Sequence, residues 1–224
     1  MVAIGQLLDR RYLITQLLGT GGFGQTYLAE DTKRPGSPHC VVKQLWLANN
    51  SPHTVQVARR LFEKEAEVLE KLGQHNQIPR LLAHFEEDEQ FYLVEEYILG
   101  HTLSEEIVPG RSLNEAQVII LITQILEILA FVHSNGVIHR DIKLANLIRR
   151  TDNNIVLIDF GAVKEITTQS HQGQFKLTVA IETPPYMPIE QLQGHPRYNS
   201  DIYAVGIIGI QALTGLSTDD LSKT

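Results

Sequence analysis

Residues 137–146 read Val-Ile-His-Arg-Asp-Ile-Lys-Leu-Ala-Asn, and an Asp-Phe-Gly triplet follows at residues 159–161. Each piece has an ordinary structural explanation, because an aspartate beside an arginine is commonly a surface ion pair and Asp-Phe-Gly suits a turn at the end of a strand. Their joint occurrence in this order, after a glycine-rich segment and a lysine in an apolar strand, is not expected by chance. The stretch therefore predicts a chemical site.

The glycine-rich segment is residues 18–30, LGTGGFGQTYLAE, with the pattern G-x-G-x-x-G at Gly19, Gly21 and Gly24. Three interpretations are open: a dinucleotide-binding turn that begins a helix, a hairpin lid over ATP, and a turn between strands with no ligand. Residues 12–30 alternate between inward and outward side chains on both sides of the glycines, which predicts two strands joined by the glycine loop. This pattern weakens the dinucleotide-binding interpretation.

Composition limits the class of protein. The 224 residues are 43% hydrophobic and 20% charged, enough for one large domain or two small lobes. The net charge of −7 argues against nucleic acid as the main partner, and the single Cys40 fits a reducing, cytoplasmic location. The N-terminus has no secretory signal pattern, and the apolar stretch 116–132 is interrupted by polar residues, so we expect a core helix there and no membrane span.

The order of the predicted elements is typical of an α+β protein. Residues 1–96 are mostly strand-like with one helix over 54–72, and residues 101–224 are mostly helical, with a hinge at 96–100. Glu65 lies on the inward stripe of the first helix and therefore needs a partner of opposite charge. Residues 112–115 read as a capping box that begins a long helix ending near residue 133.

As a set, these motifs resemble the protein kinase family, and specifically the bacterial serine/threonine kinases of the eukaryotic (Hanks) type. The resemblance covers residues from about 12 to 215 and rests on GTGGFG, CVVK, a helix glutamate, HRDIKLAN, DFG, YMPIEQ and DIYAVG. It implies a bilobal kinase fold in a single domain over residues 1–224, a protein substrate with Ser or Thr, and the cofactors ATP and Mg²⁺.

The resemblance also implies roles for individual residues. Asp141 would accept the proton of the substrate hydroxyl, Lys143 would contact the γ-phosphate and Thr183, and Lys43, paired with Glu65, would hold the α- and β-phosphates. Asn146 and Asp159 would supply the oxygen ligands of Mg²⁺. The residues implied in nucleotide binding are Leu18, Gly19, Thr20, Gly21, Gly22, Phe23, Gly24, Gln25, Thr26, Val41, Lys43, Glu96, Ile98 and Ile148.

Arg140 directly precedes Asp141. The resemblance implies that such an arginine belongs to kinases whose activation loop is ordered by phosphorylation, since arginine can bind a phosphate through two hydrogen bonds. The loop contains four residues with a hydroxyl that could be phosphorylated. Thr178 is favoured as the phosphorylation site, because its distance before Thr183 is closest to that of the family's usual site. An ordinary polar loop without modification stays the alternative. The other candidates are Thr167, Thr168 and Ser170.

The sequence departs from the family pattern at three places. Glu182 and Pro185 change the segment expected to receive the substrate peptide, and Glu95 puts a carboxylate, paired with an unidentified cation or linked to water, at the back of the adenine pocket. Glu190 has no evident partner, and the apolar face of 207–213 predicts missing C-terminal sequence or self-association. Two hypotheses follow: an ATP-dependent protein serine/threonine kinase that also phosphorylates its own activation loop, and an ATP-binding pseudokinase or scaffold.

Overall fold

The structure is a computed structural model that describes residues 2–21, 24–45, 52–160 and 185–221. The chain divides into two compact units, and the division falls between Tyr97 and Ile98, inside the predicted hinge. The first unit is rich in strands and the second is mostly helical, which confirms the predicted α+β class. Within the described residues, the first unit holds 2–74 and 79–97, and the second holds 75–78, 98–160 and 185–221.

The first unit is a six-stranded antiparallel sheet in the order β1-β2-β3-β4-β6-β5, with one helix, α1. The helix α1 spans Pro52–Leu72, close to its predicted bounds. The strands are β1 Leu7–Leu8, β2 Tyr12–Gly21, β3 Gly24–Asp31, β4 His39–Leu45, β5 Leu81–Glu87 and β6 Gln90–Glu96.

The glycine-rich segment connects two paired strands, as the alternation predicted. Gly21 of β2 lies opposite Gly24 of β3, and the ladder continues from there to Tyr12 and Asp31. Successive residues of β3 alternate between fully and partly buried, because side chains of a strand point to opposite faces of the sheet. One face of the sheet packs into an apolar core that includes Tyr12, Ile14, Tyr27, Val42 and Val94.

The second unit contains a three-stranded sheet in the order β7-β8-β9 and five helices within the described residues. Its strands are β7 Gly100–Thr102, β8 Leu147–Arg150 and β9 Ile155–Leu157. Its helices are α2 Leu103–Glu106, α3 Glu115–Ser134, α4 Ile189–Leu192, α5 Tyr198–Thr214 and α6 Thr218–Leu221, with a 3-10 turn at Leu144–Asn146.

The N-cap of the long helix α3 lies two residues later than the sequence predicted, at Asn114 instead of Ser112. Asn114 is the N-cap: its side chain accepts a hydrogen bond from the backbone N–H of Gln117 (2.9 Å), and the Gln117 side chain accepts from the Asn114 N–H (3.1 Å). The predicted box at Ser112 and Glu115 was therefore wrong. Asparagine and glutamine fulfil the same two hydrogen bonds as the serine and glutamate of the usual pattern, so the sequence contained two overlapping candidates.

The helices α3 and α5 carry both a buried and an exposed apolar face. Ile125, Ile128 and Ile208 are fully buried, whereas Ile120 is 60% exposed. By length and hydropathy α3 would also qualify as a membrane span, a test that core helices of soluble proteins pass as well. The apolar side chains of 207–213 are partly uncovered, as predicted, with Leu213 48% exposed.

Candidate active site

The partly buried face of the first sheet carries three of the residues implied in nucleotide binding, Thr26, Val41 and Lys43. Thr26 lies opposite Lys43 in the ladder, and Leu28 lies opposite Val41. Thr26, Val41 and Lys43 are partly buried and alternate with fully buried neighbours on the same strands. The alternation of side chains along the strands therefore places Thr26, Val41 and Lys43 on one face and the apolar core residues on the other.

The side chain of Gln25 lies on the opposite, core face. It is 7% exposed, and its Oε1 accepts a hydrogen bond from the hydroxyl of Tyr27. The sequence implied a nucleotide contact for this residue, but its side chain points away from the face that Thr26 and Lys43 share. Leu18, Gly19 and Thr20 are exposed to solvent, with Leu18 45% exposed.

Gly24 is required by packing within the sheet. A Cβ atom at this position would lie 1.8 Å from the backbone oxygen of Gln44 on the neighbouring strand. No such obstacle exists at Gly19, where the space within 4 Å is open. The two glycines thus serve different purposes: Gly24 lets two strands approach, and Gly19 leaves room on the loop.

Lys43 forms an ion pair with Glu95, whose cation partner the sequence could not identify. The Nζ of Lys43 lies 2.8 Å from Oε1 of Glu95, and the Glu95 side chain is only 3% exposed. The contact is a charge–charge contact rather than a well-aligned hydrogen bond. Glu65 on α1 is 4% exposed, and its predicted pairing with Lys43 stays a prediction.

In the second unit, the carboxylate of Asp141 is held by two of the predicted site residues. The Nζ of Lys143 lies 2.9 Å from Oδ2 of Asp141, and the amide nitrogen of Asn146 donates to the same oxygen at 2.8 Å. The Asn146 amide also donates to the backbone oxygen of Asp141 at 2.8 Å. Both contacts limit the rotation of the carboxylate.

The same hydrogen bonds leave Asn146 suited to a cation. Its amide nitrogen donates to Asp141, and its side-chain oxygen, which takes no part in these two bonds, is a hard-oxygen donor of the kind that Mg²⁺ prefers. The N–H of Ile158 donates to the backbone oxygen of Asn146 (2.9 Å), which brings the start of the Asp-Phe-Gly triplet next to this turn. Asp159 follows directly, in the left-handed backbone region with φ of 65°.

His139 supports the loop from below. It is fully buried, and burial lowers its pKa, so the ring is neutral at pH 7. Its Nδ1 accepts a hydrogen bond from the Asp141 N–H (3.3 Å), so the ring proton is on Nε2, which faces the backbone oxygen of Ile158 at 3.2 Å. The ring also packs against Phe160, with centroids 4.8 Å apart. One histidine thereby links the Asp141 loop to the Asp159 strand end.

Asp201, at the first turn of α5, fixes the backbone of the same loop. Its carboxylate accepts hydrogen bonds from the backbone N–H groups of His139 (2.9 Å) and Arg140 (2.8 Å), and its Oδ2 lies 2.8 Å from Nε2 of His133. These bonds hold Arg140 at a φ of 69°, a conformation that costs energy for a residue with a side chain. The sequence pointed to this aspartate through the DIYAVG motif but gave no role for it.

Two residues of α4 join this arrangement. The amide of Gln191 donates to the backbone oxygen of Arg140 at 2.6 Å. Glu190 accepts a hydrogen bond from the hydroxyl of Ser200 at 2.9 Å, so the expectation that Glu190 has no partner was wrong. The partner of the carboxylate is a hydroxyl group rather than an arginine. A neutral side chain ten residues away cannot be recognised in a sequence as the partner of a charge.

The remaining predicted residues are placed as follows. Glu96 ends β6, and its N–H donates to the backbone oxygen of Arg80 (2.9 Å). Ile98 is the first residue of the 98–160 segment of the second unit. Ile148 lies on β8 opposite Val156. Gly22, Phe23, Thr183 and the candidate phosphorylation sites Thr167, Thr168, Ser170 and Thr178 lie outside the described residues. Thr20 and Gly21 lie at the end of β2.

Comparison with known proteins identifies the family. The model of the protein kinase domain matches residues 12–219, which is nearly the whole chain. The chain belongs to the protein kinase domain family. This result confirms the resemblance on which the site residues depend, and it also removes the dinucleotide-binding interpretation of the glycine-rich segment.

Similar kinases occur in cyanobacteria and in other bacteria. The domain is 47% identical over 220 residues to serine/threonine-protein kinase B of a Synechocystis species, and 44% identical to serine/threonine-protein kinase PknA of a Nostoc species. It is 32% identical to serine/threonine-protein kinase PrkC of Bacillus subtilis. Each alignment covers at least 95% of this chain but only 38%, 39% and 32% of those relatives.

Proposed function

We propose that this kinase domain transfers the γ-phosphate of ATP to Ser or Thr hydroxyls of protein substrates. The observation that carries the proposal is the carboxylate of Asp141, held by Lys143 at 2.9 Å and by Asn146 at 2.8 Å. Relatives that are named serine/threonine-protein kinases and are 43–47% identical support an active kinase over the pseudokinase alternative.

The residues have distinct tasks in such a reaction. Asp141 orients the substrate hydroxyl and accepts its proton as the oxygen attacks the γ-phosphorus and the bond to the β-phosphate oxygen breaks. Lys143 neutralises the negative charge that Asp141 and the transferring phosphoryl group bring together. Lys43 binds the α- and β-phosphates, while Glu65 and Glu95 supply the charges that balance it.

The oxygen donors of Asn146 and Asp159 fit a Mg²⁺ site, since the Asn146 amide nitrogen is already engaged with Asp141. Mg²⁺ bound there would neutralise phosphate charge during transfer. Phosphorylation of the protein's own activation loop, with Thr178 as the favoured site, belongs to the same proposal. So do a cytoplasmic location and partners that are proteins rather than nucleic acids, in keeping with the net charge of −7.

The test is transfer of label from γ-labelled ATP in the presence of Mg²⁺, to the chain itself and to a generic protein substrate. Removal of a general base typically lowers a rate by about 10² to 10⁴, so Asp141→Asn should label at least about a hundredfold more slowly. Asp152→Asn is the matched control, because Asp152 forms an ion pair with Arg150 in an exposed turn of the same unit.

Two results would contradict the proposal. Equal labelling of the wild type and Asp141→Asn would show that Asp141 is not the base. Binding of Mg²⁺-ATP with no transfer of label, under conditions where Asp152→Asn and the wild type are folded, would favour the scaffold hypothesis.

A further inference from the structure

We propose that Glu95 is a positioning residue for Lys43: a carboxylate on the sheet itself that fixes the phosphate-binding ammonium independently of helix α1. The inference rests on the proposed function, since it assigns Lys43 to the phosphates of ATP. It concerns a residue for which the family pattern predicts an apolar or neutral side chain.

The geometry follows from the register of two adjacent strands. In the ladder between β4 and β6, Val41 lies opposite Glu95 and Lys43 lies opposite Leu93. Glu95 and Lys43 are therefore diagonal neighbours on one face of the sheet, within reach of long side chains. The Nζ–Oε1 distance of 2.8 Å shows that the two side chains use this proximity.

The burial of Glu95 makes the contact hard to give up. Its side chain is 3% exposed and that of Lys43 is 19% exposed. A buried carboxylate that loses its counter-ion costs several kcal/mol, so separation of Lys43 from Glu95 is strongly opposed. The ammonium group carries three N–H donors, and it can contact a phosphate while it remains beside Glu95.

The position of Glu95 differs in kind from that of Glu65. Glu95 is held by the backbone hydrogen bonds of a central strand, whereas Glu65 projects from α1. In protein kinases the lysine must be paired with the helix glutamate, and the position of that helix controls the pair. A second carboxylate on the sheet keeps Lys43 oriented whatever the position of α1. Activity should accordingly depend less on Glu65 than on Lys43.

The first test compares binding of Mg²⁺-ATP and of adenosine to the wild type and to Glu95→Gln by calorimetry. Glu95→Gln removes one of the two carboxylates assigned to Lys43, and the extra freedom of the lysine side chain should weaken ATP binding about fivefold. Adenosine has no phosphates and should bind equally to both. Glu86→Gln is the matched control, because Glu86 lies on the edge strand β5 and pairs with Arg59 of α1 at the surface. This substitution should change the affinity neither for ATP nor for adenosine.

The second test is a pair of double-variant comparisons. In a Lys43→Met background, Glu95→Gln should leave ATP affinity unchanged, because the group through which it acts is gone. Glu65→Gln should retain more phosphoryl transfer than Lys43→Met, and Glu65→Gln/Glu95→Gln should fall to the level of Lys43→Met. If Glu95→Gln lowers the melting temperature sharply, Glu95→Met replaces it, since an apolar side chain of similar size is tolerated in place of a buried charge.

The outcomes separate this inference from the proposed function. A wild type that binds no ATP overturns the proposed function. A wild type that binds ATP, with Glu95→Gln weakening ATP and adenosine equally, shows that Glu95 only forms the wall of the pocket. Tighter ATP binding by Glu95→Gln shows that the carboxylate competes with phosphate, and either result overturns the positioning role.

Discussion

Buried charged residues account for much of the local geometry, and Asp31 and Asp201 both have partners in distant segments of the chain. Asp31 on β3 is 1% exposed and accepts two hydrogen bonds from Arg11, both at 2.7 Å. Asp201 is 1% exposed and accepts from the backbone of the His139 loop. Such bonds link segments that are 20 and 62 positions apart in the chain. Removal of Arg11 would leave the buried charge of Asp31 without its partner, which is why this pair is a good site for tests.

Asp31 should give the free energy of unfolding a dependence on pH. Its hydrogen bonds to Arg11 lower its pKa from the ordinary value of 3.8. Because the folded-state pKa is the lower one, the stabilisation is complete above the unfolded-state pKa and is lost as the pH falls through the folded-state value. We expect the difference in unfolding free energy between the wild type and Asp31→Asn to be largest at neutral pH and to shrink below about pH 4.

Urea unfolding at pH 7, 5, 4 and 3 measures this difference. Arg11→Met should diminish the acid dependence in the same way, because it removes the cause of the lowered pKa. An acid dependence of Asp31→Asn identical to that of the wild type would show that another carboxylate is responsible.

Gly24 should be sensitive to the smallest substitution. In Gly24→Ala the new Cβ would meet the Gln44 backbone oxygen at 1.8 Å, so β3 and β4 must move apart. Overpacking of this kind costs about 1–3 kcal/mol in the free energy of unfolding. Gly19→Ala, where the space is open, is the control in the same urea titration. A smaller loss for Gly24→Ala than for Gly19→Ala would contradict the packing role.

At the scale of elements, the period of the apolar residues predicted the helices and strands to within a few positions. The helix predicted over 54–72 is Pro52–Leu72, and the long helix predicted to end near residue 133 ends at Ser134. The first residue of a helix is harder to predict, because several neighbouring polar residues can each act as the N-cap. For α3 the competing caps are Ser112 and Asn114, and hydrogen-bond geometry selects Asn114.

The choice of cap can be measured. Asn114→Ala removes the acceptor for the Gln117 N–H and should lower the free energy of unfolding by about 1 kcal/mol. Ser112→Ala, the change at the cap that the sequence first suggested, should lower it by much less. Thermal or urea unfolding monitored by circular dichroism distinguishes the two, and the reverse order of effects would restore the earlier capping box.

At the scale of the molecule, the residues proposed for phosphoryl transfer are distributed over two compact units. Lys43 and Glu95 belong to the first unit, and Asp141, Asn146 and Asp159 to the second. Each set is built by its own unit: strand register places the first, and the hydrogen bonds of His139 and Asp201 hold the loop of the second. The proposed reaction needs both sets, so its dependence on each can be compared in one binding measurement.

Mg²⁺-ATP should raise the melting temperature of the chain. Ligand at a hundredfold excess over its dissociation constant stabilises the folded state by about 2.7 kcal/mol, which corresponds to roughly 5–10 °C for a chain of this size. Lys43→Met and Asp159→Asn should each reduce the rise, whereas Asp152→Asn should keep it. A rise that survives both site substitutions would place ATP elsewhere on the protein.

The sequence predicted the site through its resemblance to the protein kinase family. The strand lysine, the HRDIKLAN segment and the Asp-Phe-Gly triplet match motifs of that family, and the match implies roles in phosphoryl transfer for Lys43, Asp141, Asn146 and Asp159. It could not identify the partners that hold them. Glu95 was interpreted as linked to water or paired with an unidentified cation, and only the structure shows that it pairs with Lys43 across β4 and β6.

What the sequence determined by itself is therefore the family, the order of the elements and the type of each chemical group. The tertiary structure decided which groups meet: Glu95 with Lys43, Asp201 with the His139 loop, Glu190 with Ser200. The physical reason is that periodicity and motif spacing are local properties of a chain. Charge pairing across strands and helices depends on distances of a few ångströms, which are fixed only when the elements have packed.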